Sequence, residues 1–365
     1  VAIMLDALFA PFAIKNLRLK NRLVLAPMSR YQNEGGIPDA ALAKFYAERA
    51  PDLGLVMTGA VAVDLPAANN HPKLANINAG SSAGWQQVVE AVHNAGSPIS
   101  MQLWHAGPLF NVAPDYQPAP IKSPSGLVTP GRKVGEPMSE TDIADCIDAF
   151  ATAAKLAKDL GFDAIEVHAA HGFLLDAFFW KGINQREDGW GGLVLPARAR
   201  FALEVVKAVR KAVGDEMLVS LRVSQWKEQD YTVKLAASPL ELEQWLVPFV
   251  EAGIDMISCS QRRFWEPEFK GSELNFAGWV RKVTGAPTIT VGSVGLSTDV
   301  MTFFEGAIPE HRPLDELMRR LDADEFDLVA VGRALLADPD WVRKVRENRI
   351  MDLKQPDPKA IMQWI

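Results

Sequence analysis

Leu160-Gly161-Phe162-Asp163-Ala164-Ile165-Glu166-Val167-His168-Ala169-Ala170-His171 joins a helix end, a glycine stop, a strand and a polar exit. The helix-period stretch Glu140–Leu160 runs into Gly161, a residue that supplies the left-handed turn on which helices commonly end. Phe162–Val167 is then a short, nearly continuous apolar run, the pattern of a strand buried on both faces of a parallel sheet. His168 and His171 stand where that strand leaves the core.

The same order recurs along the chain. Further apolar runs bounded by breakers are Leu23–Ala26, Leu53–Val61, Pro98–Leu103, Met217–Val223, Ile254–Cys259, Pro287–Val291 and Phe326–Val331. Between them lie helix-period stretches at Trp85–Asn94, Pro196–Val213, Pro239–Glu251, Ala277–Val283 and Asp315–Leu321. Ala95-Gly96 and Ala252-Gly253 repeat the glycine stop before a strand. Eight such units predict an α/β fold, a single (β/α)8 TIM barrel in one domain over residues 1–365. A doubly wound sheet is the rival, because strand order is not written in the sequence. At 365 residues two domains are the usual expectation, but barrels of this length occur as one. The excess length falls in two places. Gly107–Pro137, rich in Pro and Gly and without periodicity, is a long loop after strand 3, expected to act as a lid. Gly306–Asp324 is an insertion before strand 8, whose charged helix reads as a peripheral, solvated face.

Composition narrows the function. Lys plus Arg total 38 against 45 Asp plus Glu, a net charge of -7 that repels polyanions and sets nucleic acid aside. The two cysteines, Cys146 and Cys259, are too few and too far apart for a disulfide framework or a zinc site. They suit a reducing, cytoplasmic setting. No apolar run approaches the roughly 18 residues of a spanning helix, so no membrane partner is expected. The opening residues carry Asp6 and Pro11 and no basic leader, so no signal peptide is expected. Self-association into a homo-oligomer stays open.

Barrel enzymes place their chemistry at the C-terminal ends of the strands. Those ends carry Pro27-Met28-Ser29, Gly59-Ala60, Gln102-Leu103-Trp104-His105, His168 to His171, Arg222, Ser260-Gln261-Arg262, Gly292-Ser293-Val294-Gly295 and Gly332-Arg333. The last two follow strands seven and eight, where backbone N–H groups often bind a phosphate and glycine lets the chain approach it. Arg333 adds a fork of donors. Taken singly, either could be an ordinary strand-to-helix turn; as a pair they favour a phosphate. His168 and His171 lack a third metal ligand and any His-Glu-x-x-His pattern, so no metal is expected. Projecting together, they suit an anionic or carbonyl oxygen. His105 stays a candidate, whereas His71, His93 and His311 read as surface or loop residues. Gln102 and Arg222 are polar residues inside apolar strands, costly to bury without partners. Either each has a structural partner or both face a polar, planar, electron-accepting ring.

These motifs resemble the old yellow enzyme family of FMN-dependent ene-reductases over nearly the whole chain. Leu8-Phe9-Ala10-Pro11-Phe12, Leu17-Arg18-Leu19-Lys20-Asn21-Arg22 and Ala26-Pro27-Met28-Ser29-Arg30-Tyr31 look like its first strand region. Gln102-Leu103-Trp104-His105-Ala106-Gly107, Glu166 to Gly172, Asn184-Gln185-Arg186-Glu187-Asp188 with Trp190-Gly191-Gly192, and Val331 to Pro339 match later signatures. The resemblance implies FMN across the barrel mouth, with Pro27, Met28, Ser29 and Ala60 along its ring. It implies Gln102 at the pyrimidine edge, Arg222 at N1 and O2, and Gly292, Ser293, Gly332 and Arg333 at the phosphate. It makes His168 and His171 the catalytic pair that binds the substrate's carbonyl or nitro oxygen, with Tyr31, Phe173 and Trp104 beside the substrate. NADPH or NADH is the implied reductant, in ping-pong turnover with a small electrophile. Ser29, not a cysteine, holds the flavin-adjacent position, so thiol tuning is not expected.

Phe173 stands where the family usually carries its proton-donating tyrosine. Tyr31 becomes the nearest named substitute, and Phe173 is expected to slow alkene reduction or to mark a nitro substrate. Pro108 replaces a common arginine, and Gln261 to Pro267 is unusually rich in cations and aromatics, reading as a pocket wall or a salt-bridged surface loop. Two other readings stand beside the oxidoreductase. One is a flavin-free barrel lyase or aldolase binding a phosphorylated substrate, although no strand exit supplies its Schiff-base lysine. The other is a non-catalytic flavin-binding relic. No G-x-G-x-x-G opens a βαβ unit, so no separate dinucleotide domain is expected.

Overall fold

The computed structural model describes residues 5–359 apart from Asn111, Val112 and Pro114. Eight parallel strands close into a barrel: β1 (Leu23–Leu25), β2 (Leu55–Ala62), β3 (Ile99–Trp104), β4 (Ala164–His171), β5 (Leu218–Lys227), β6 (Met256–Ser260), β7 (Thr288–Val291) and β8 (Leu328–Val331). Each strand pairs with its sequence neighbours, and β8 closes onto β1 through Val329↔Leu23 and Val331↔Leu25. That order excludes the doubly wound sheet, whose strand sequence reverses at a switch point.

Every strand alternates between the two sides of the barrel wall. Outward residues such as Ile165, Val167, Leu221 and Val223 pack beneath the surrounding helices. Inward residues change character with height. At the bottom, Leu55, Ala164, Leu218, Met256, Ile289 and Leu328 form an apolar plug with Leu17 and Leu19, from the antiparallel hairpin Phe12–Ile14/Leu17–Leu19. Above it the inward positions turn polar: Gln102, Glu166, Ser220, Arg222 and Ser258 are all buried. The hairpin therefore closes one end, and the polar interior opens at the C-terminal end.

The helices α1 (Ala40–Arg49), α2 (Ser82–Asn94), α3 (Glu140–Asp159), α4 (Arg200–Val213), α5 (Pro239–Glu251), α6 (Phe276–Thr284) and α7 (Asp315–Asp322) line the connections. Gly96, Gly161 and Gly253 have φ of +88°, +93° and +106°, the left-handed stops expected after α2, α3 and α5. Ser139 starts α3 with a capping box: its Oγ accepts from the Asp142 N–H at 3.1 Å, while Asp142 accepts from the Ser139 N–H at 2.8 Å.

Two stretches depart from expectation. The segment Gly107–Pro137 includes the strand pairs Lys122–Ser123/Glu136–Pro137 and Leu127–Thr129/Arg132–Lys133. Arg186 anchors it by donating to the carbonyls of Pro124 and Met138, and none of its described residues lines the barrel mouth. The part of the lid expectation that falls on Asn111, Val112 and Pro114 lies outside the described residues. Gly306–Asp324 carries α7, the crossover helix between β7 and β8, and its inner face is not solvated. Leu317, Met318 and Leu321 are buried. Arg320, also buried, donates to the Trp265 carbonyl at 3.2 Å, and the Arg312 guanidinium lies 3.7 Å from the Trp265 ring centre. The crossover thus braces the loop after β6.

Candidate active site

The strand exits converge on a cavity of about 410 Å³ at the C-terminal mouth. Pro27, Met28, Ser29 and Tyr31 reach it from β1, Ala60 from β2, and Gln102 and Trp104 from β3. His168, His171 and Phe173 reach it from β4, Arg222 from β5, Gly292 and Ser293 from β7, and Gly332 and Arg333 from β8. Sequence separations of up to three hundred residues thus collapse into one chamber. His105 is not among its lining: it is buried, and its Nδ1 accepts from the Gly107 N–H at 3.0 Å. A larger and more open groove, about 940 Å³ between residues 64–82 and α3, contains none of the predicted site residues.

The chamber floor is a buried hydrogen-bonded network. Gln102 Nε2 donates to Glu166 Oε1 at 2.6 Å, across the paired positions of β3 and β4. Arg222 donates to Ser258 Oγ at 3.3 Å and sits opposite His168 in the β4–β5 register. Burial pushes the Glu166 carboxyl up, opposed by the Arg222 charge and by hydrogen bonds from Gln102, Ser220 and Ser258. Because Glu166 accepts from the Gln102 amide nitrogen, the amide oxygen remains as an acceptor for a ligand.

Above the floor, a register shift between Ala169 and His171 ends the regular pairing of β4 with β5. His171 adopts φ of +63°, and its N–H donates to Ser224 Oγ at 2.9 Å. This bulge turns the ring to within 2.7 Å of Ser260 Oγ and stacks it on Trp226, with centroids 4.5 Å apart. The His168 and His171 rings meet edge to face at 5.2 Å. Burial, with the Arg222 charge second, lowers the His168 pKa to about 3. Burial, followed by His168 and Arg222, also holds His171 well below the ordinary imidazole value. Both rings are therefore neutral at physiological pH. His168 Nδ1 accepts from the Ala170 N–H at 3.4 Å, which leaves its proton on Nε2.

At the opposite end, Gly292 and Ser293 form a tight turn with φ of +141° and +55°. The N–H groups of Ser293 and Gly332 have no acceptor among the described residues. Ser293 Oγ is turned away, donating to the carbonyls of Arg262 and Thr298 at 2.8 Å. Arg333 donates to the Thr298 and Asp299 carbonyls and to Ser293 Oγ, so it braces the turn as well as lining the chamber. A Cβ on Gly292 would stand 2.5 Å from the Gln261 carbonyl oxygen. Gly292→Ala is accordingly expected to destabilise the fold by about 2–3 kcal/mol, through strain at a conformation an L side chain rarely adopts. A guanidinium unfolding midpoint equal to wild type would refute this.

Several lining residues lacked a sequence signal strong enough to select them. Trp226 and Glu228 lie beyond the apolar part of β5, whereas Ser260, Gln261 and Arg262, at the exit of β6, were among the strand ends but carried no assigned role. Arg262 and Arg263 both pair with the buried Asp299, at 2.8 and 2.7 Å. The loop after β6 is therefore both of the things its sequence suggested, a cavity wall and a salt-bridged loop. Val300, Phe303 and Phe304, from the short helix Val300–Phe304, add an apolar lip. Among the described residues, no group of three or more His, Cys, Asp or Glu could hold a metal ion, and no helix is long and apolar enough to cross a membrane.

Known proteins share this arrangement. Residues 7–352 match the NADH:flavin oxidoreductase / NADH oxidase family. The chain is 30% identical to 12-oxophytodienoate reductase 7 of Oryza sativa subsp. japonica, over 93% of this chain and 88% of that protein. It is 29% identical to an NADPH dehydrogenase of Bacillus velezensis, over 97% and 98% of the two chains. It superimposes on morphinone reductase in complex with tetrahydroNAD with a TM-score of 0.81 and 26% identity, covering 97% of this chain and 94% of that one. A match across the whole barrel, rather than over the Gly292-Ser293 turn alone, removes the flavin-free lyase: the chain belongs to the NADH:flavin oxidoreductase / NADH oxidase family of old yellow enzyme homologues, an oxidoreductase that uses FMN and NAD(P)H.

Proposed function

We propose that the protein reduces activated alkenes, chiefly α,β-unsaturated carbonyl compounds, or nitro compounds, in ping-pong turnover. The observation that supports this most is one chamber with open backbone amides at one end and a pair of neutral imidazoles above a buried Arg–Glu–Gln network at the other.

The residues present fit FMN. The Ser293 and Gly332 amides suit its phosphate, and a Cβ on Gly332 would come within 3.4 Å of Met28 Sδ, narrowing the slot beside the β1 exit. Ala26-Pro27-Met28-Ser29 and Ala60 would flank the ring, with Ser29 Oγ accepting from the Ala60 N–H at 3.2 Å to fix that wall. Gln102, oriented by Glu166, would meet the pyrimidine edge, and Arg222 would favour negative charge at N1 and O2. Bound there, FMN supplies two-electron chemistry, accepting hydride from NAD(P)H and delivering it to the β-carbon of the substrate.

The chain's own contribution is binding and polarisation. His168 Nε2–H is free to donate to a carbonyl or nitro oxygen. With Ser260 donating to His171 Nε2, the second ring presents Nδ1–H to the same oxygen. Two donors on one oxygen draw electron density from the conjugated alkene. Trp104 and Phe173, with ring centres 5.0 Å apart, and Tyr31 wall the substrate space. The whole chain would act as one FMN-binding barrel unit in the cytoplasm, where the buried free thiols Cys146 and Cys259 stay reduced.

Purified protein is expected to carry a visible flavin spectrum, to bleach anaerobically with NAD(P)H and to recover its colour with cyclohexenone. A flavin-loaded protein that NAD(P)H does not bleach would be the binding relic instead.

A further inference from the structure

Strand β5 carries a line of polar and aromatic side chains on its inward face: Ser220, Arg222, Ser224 and Trp226. The next residue of that parity is Glu228, which lies just past the end of the strand and lines the same chamber. Two bonds hold it there. The Glu228 N–H donates to the His171 carbonyl at 3.1 Å, and Gln229 Nε2 donates to the Gly172 carbonyl at 3.1 Å. Gly172 leaves room for this, since a Cβ there would overlap the Gln229 amide.

Glu228 is the one carboxylic acid among the described residues lining the chamber. Of the acids around it, Glu166 is engaged with Gln102, Asp299 with Arg262 and Arg263, and Asp176 with Lys227, while Glu305 acts on Tyr231 from beyond the lip helix. The Glu228 carboxylate has no hydrogen bond or ion pair among the described residues. Tyr31 from the β1 exit and Tyr231 from its own loop lie close enough to feel its charge, with Arg262 lying 4.9 Å from the Tyr231 ring centre and His171 beside its backbone.

We propose that Glu228 is the general acid of alkene reduction here, giving its carboxyl proton to the substrate's α-carbon as hydride reaches the β-carbon. This inference rests on the flavin reading above. The Glu228 O–H bond breaks and the α-carbon C–H bond forms. The alkene gains two electrons, supplied by NAD(P)H, which leaves as NAD(P)+, and solvent at the open mouth reprotonates the carboxylate.

The chamber leaves few other donors. Phe173 has no exchangeable proton, and the two histidines are held neutral as oxygen-binding groups. Burial, helped by the Glu228 charge, raises the Tyr31 hydroxyl to about 12, making it a weaker acid than usual. Glu228 is reached by solvent through the open mouth, yet the surrounding walls desolvate it enough to push its pKa up to about 7. A group poised there holds a proton below neutrality and releases it readily. Ionisation removes the donor, so turnover falls as pH rises through about 7.

The test uses FMN-loaded enzyme reduced anaerobically with NADPH, and follows flavin reoxidation by cyclohexenone against pH. Wild type is expected to lose rate through one ionisation near pH 7. Glu228→Gln is expected to be about 100-fold slower at pH 6 and to lose that ionisation, while Glu228→Asp keeps a pH-dependent limb. Infrared titration of the oxidised, flavin-loaded wild type gives a readout without turnover: a carboxylic acid band should disappear near pH 7 and be missing or shifted in the Gln and Asp variants. A Glu228→Gln enzyme reoxidised at the wild-type rate with the wild-type pH profile overturns Glu228 as donor and leaves the flavin reading intact. So does a wild-type infrared titration with no carboxyl changing near neutrality. A wild type that NADPH cannot bleach overturns the flavin reading and the donor with it.

Discussion

Lys227→Met is expected to lower unfolding free energy by about 3–5 kcal/mol, more than Gly292→Ala. Lys227 Nζ lies 2.8 Å from Asp176, and both side chains are fully buried. The ammonium also donates to the Gln225 carbonyl, while Asp176 accepts from the Gly172 N–H at 2.6 Å. Replacing both partners by apolar groups removes two desolvation costs together; removing only the lysine strands a carboxylate in the core. Burial already pushes Asp176 above the ordinary aspartate value, and Lys227 opposes that rise. Without the lysine the pKa climbs further, so the ionised form becomes the expensive one. The loss should therefore be smaller at pH 5 than at pH 8, as stability falls once pH rises above the unfolded value. Denaturant unfolding at the two pH values checks this, with the Lys227→Met/Asp176→Leu pair expected to recover much of the loss. Equal destabilisation at both pH values would contradict it. The pair ties β5 to helix Leu174–Phe179, just beyond Phe173, so the strand end bearing Trp226 and the Glu228 that follows it depend on it.

His168→Ala and His171→Ala are each expected to reduce kcat/KM for cyclohexenone by about 10²–10³, the usual scale for losing one preorganised donor to a developing oxyanion. The double variant should fall short of the product of the two if, as proposed, both rings serve one oxygen. Since the His168 pKa lies near 3, the wild type should show no loss of oxygen binding from His168 protonation between pH 5 and 8. Loss of activity in that range on the acid side, persisting in the Glu228→Gln variant, would count against the neutral pair. Steady-state kinetics of the three histidine variants across pH separates these cases.

Much of this site could be read before any coordinates. Polar and glycine residues gather at the exits of apolar runs, and most of them, though not His105, line one chamber. What escaped was polar sequence that continues a strand. The apolar run of β4 stops at Val167, yet the strand extends through His171, and β5 runs on from Val223 to Lys227. Backbone pairing sustains these extensions, with side chains turned into a polar interior, so hydrophobic periodicity fades where the chemistry begins. Glu166, an acid inside an apolar run, carries a signal of the same kind as Gln102 and Arg222 that was not singled out, and its partner cannot be named from one chain position.

The sequence by itself determined an α/β fold of eight buried parallel strands separated by helices and glycine stops, which can bury their apolar faces in few ways, a closed barrel or a doubly wound sheet. It also determined which exits carry reactive side chains. Only the tertiary structure decided how they combine. Closure of β8 onto β1 sets the Gly332-Arg333 exit beside Pro27, Met28 and Ser29, the β4 bulge aims His171 at Ser260, and the inward parity of β5 carries Glu228 into the chamber. Those relations depend on register and on a single positive φ, which local composition does not encode and long-range strand pairing enforces.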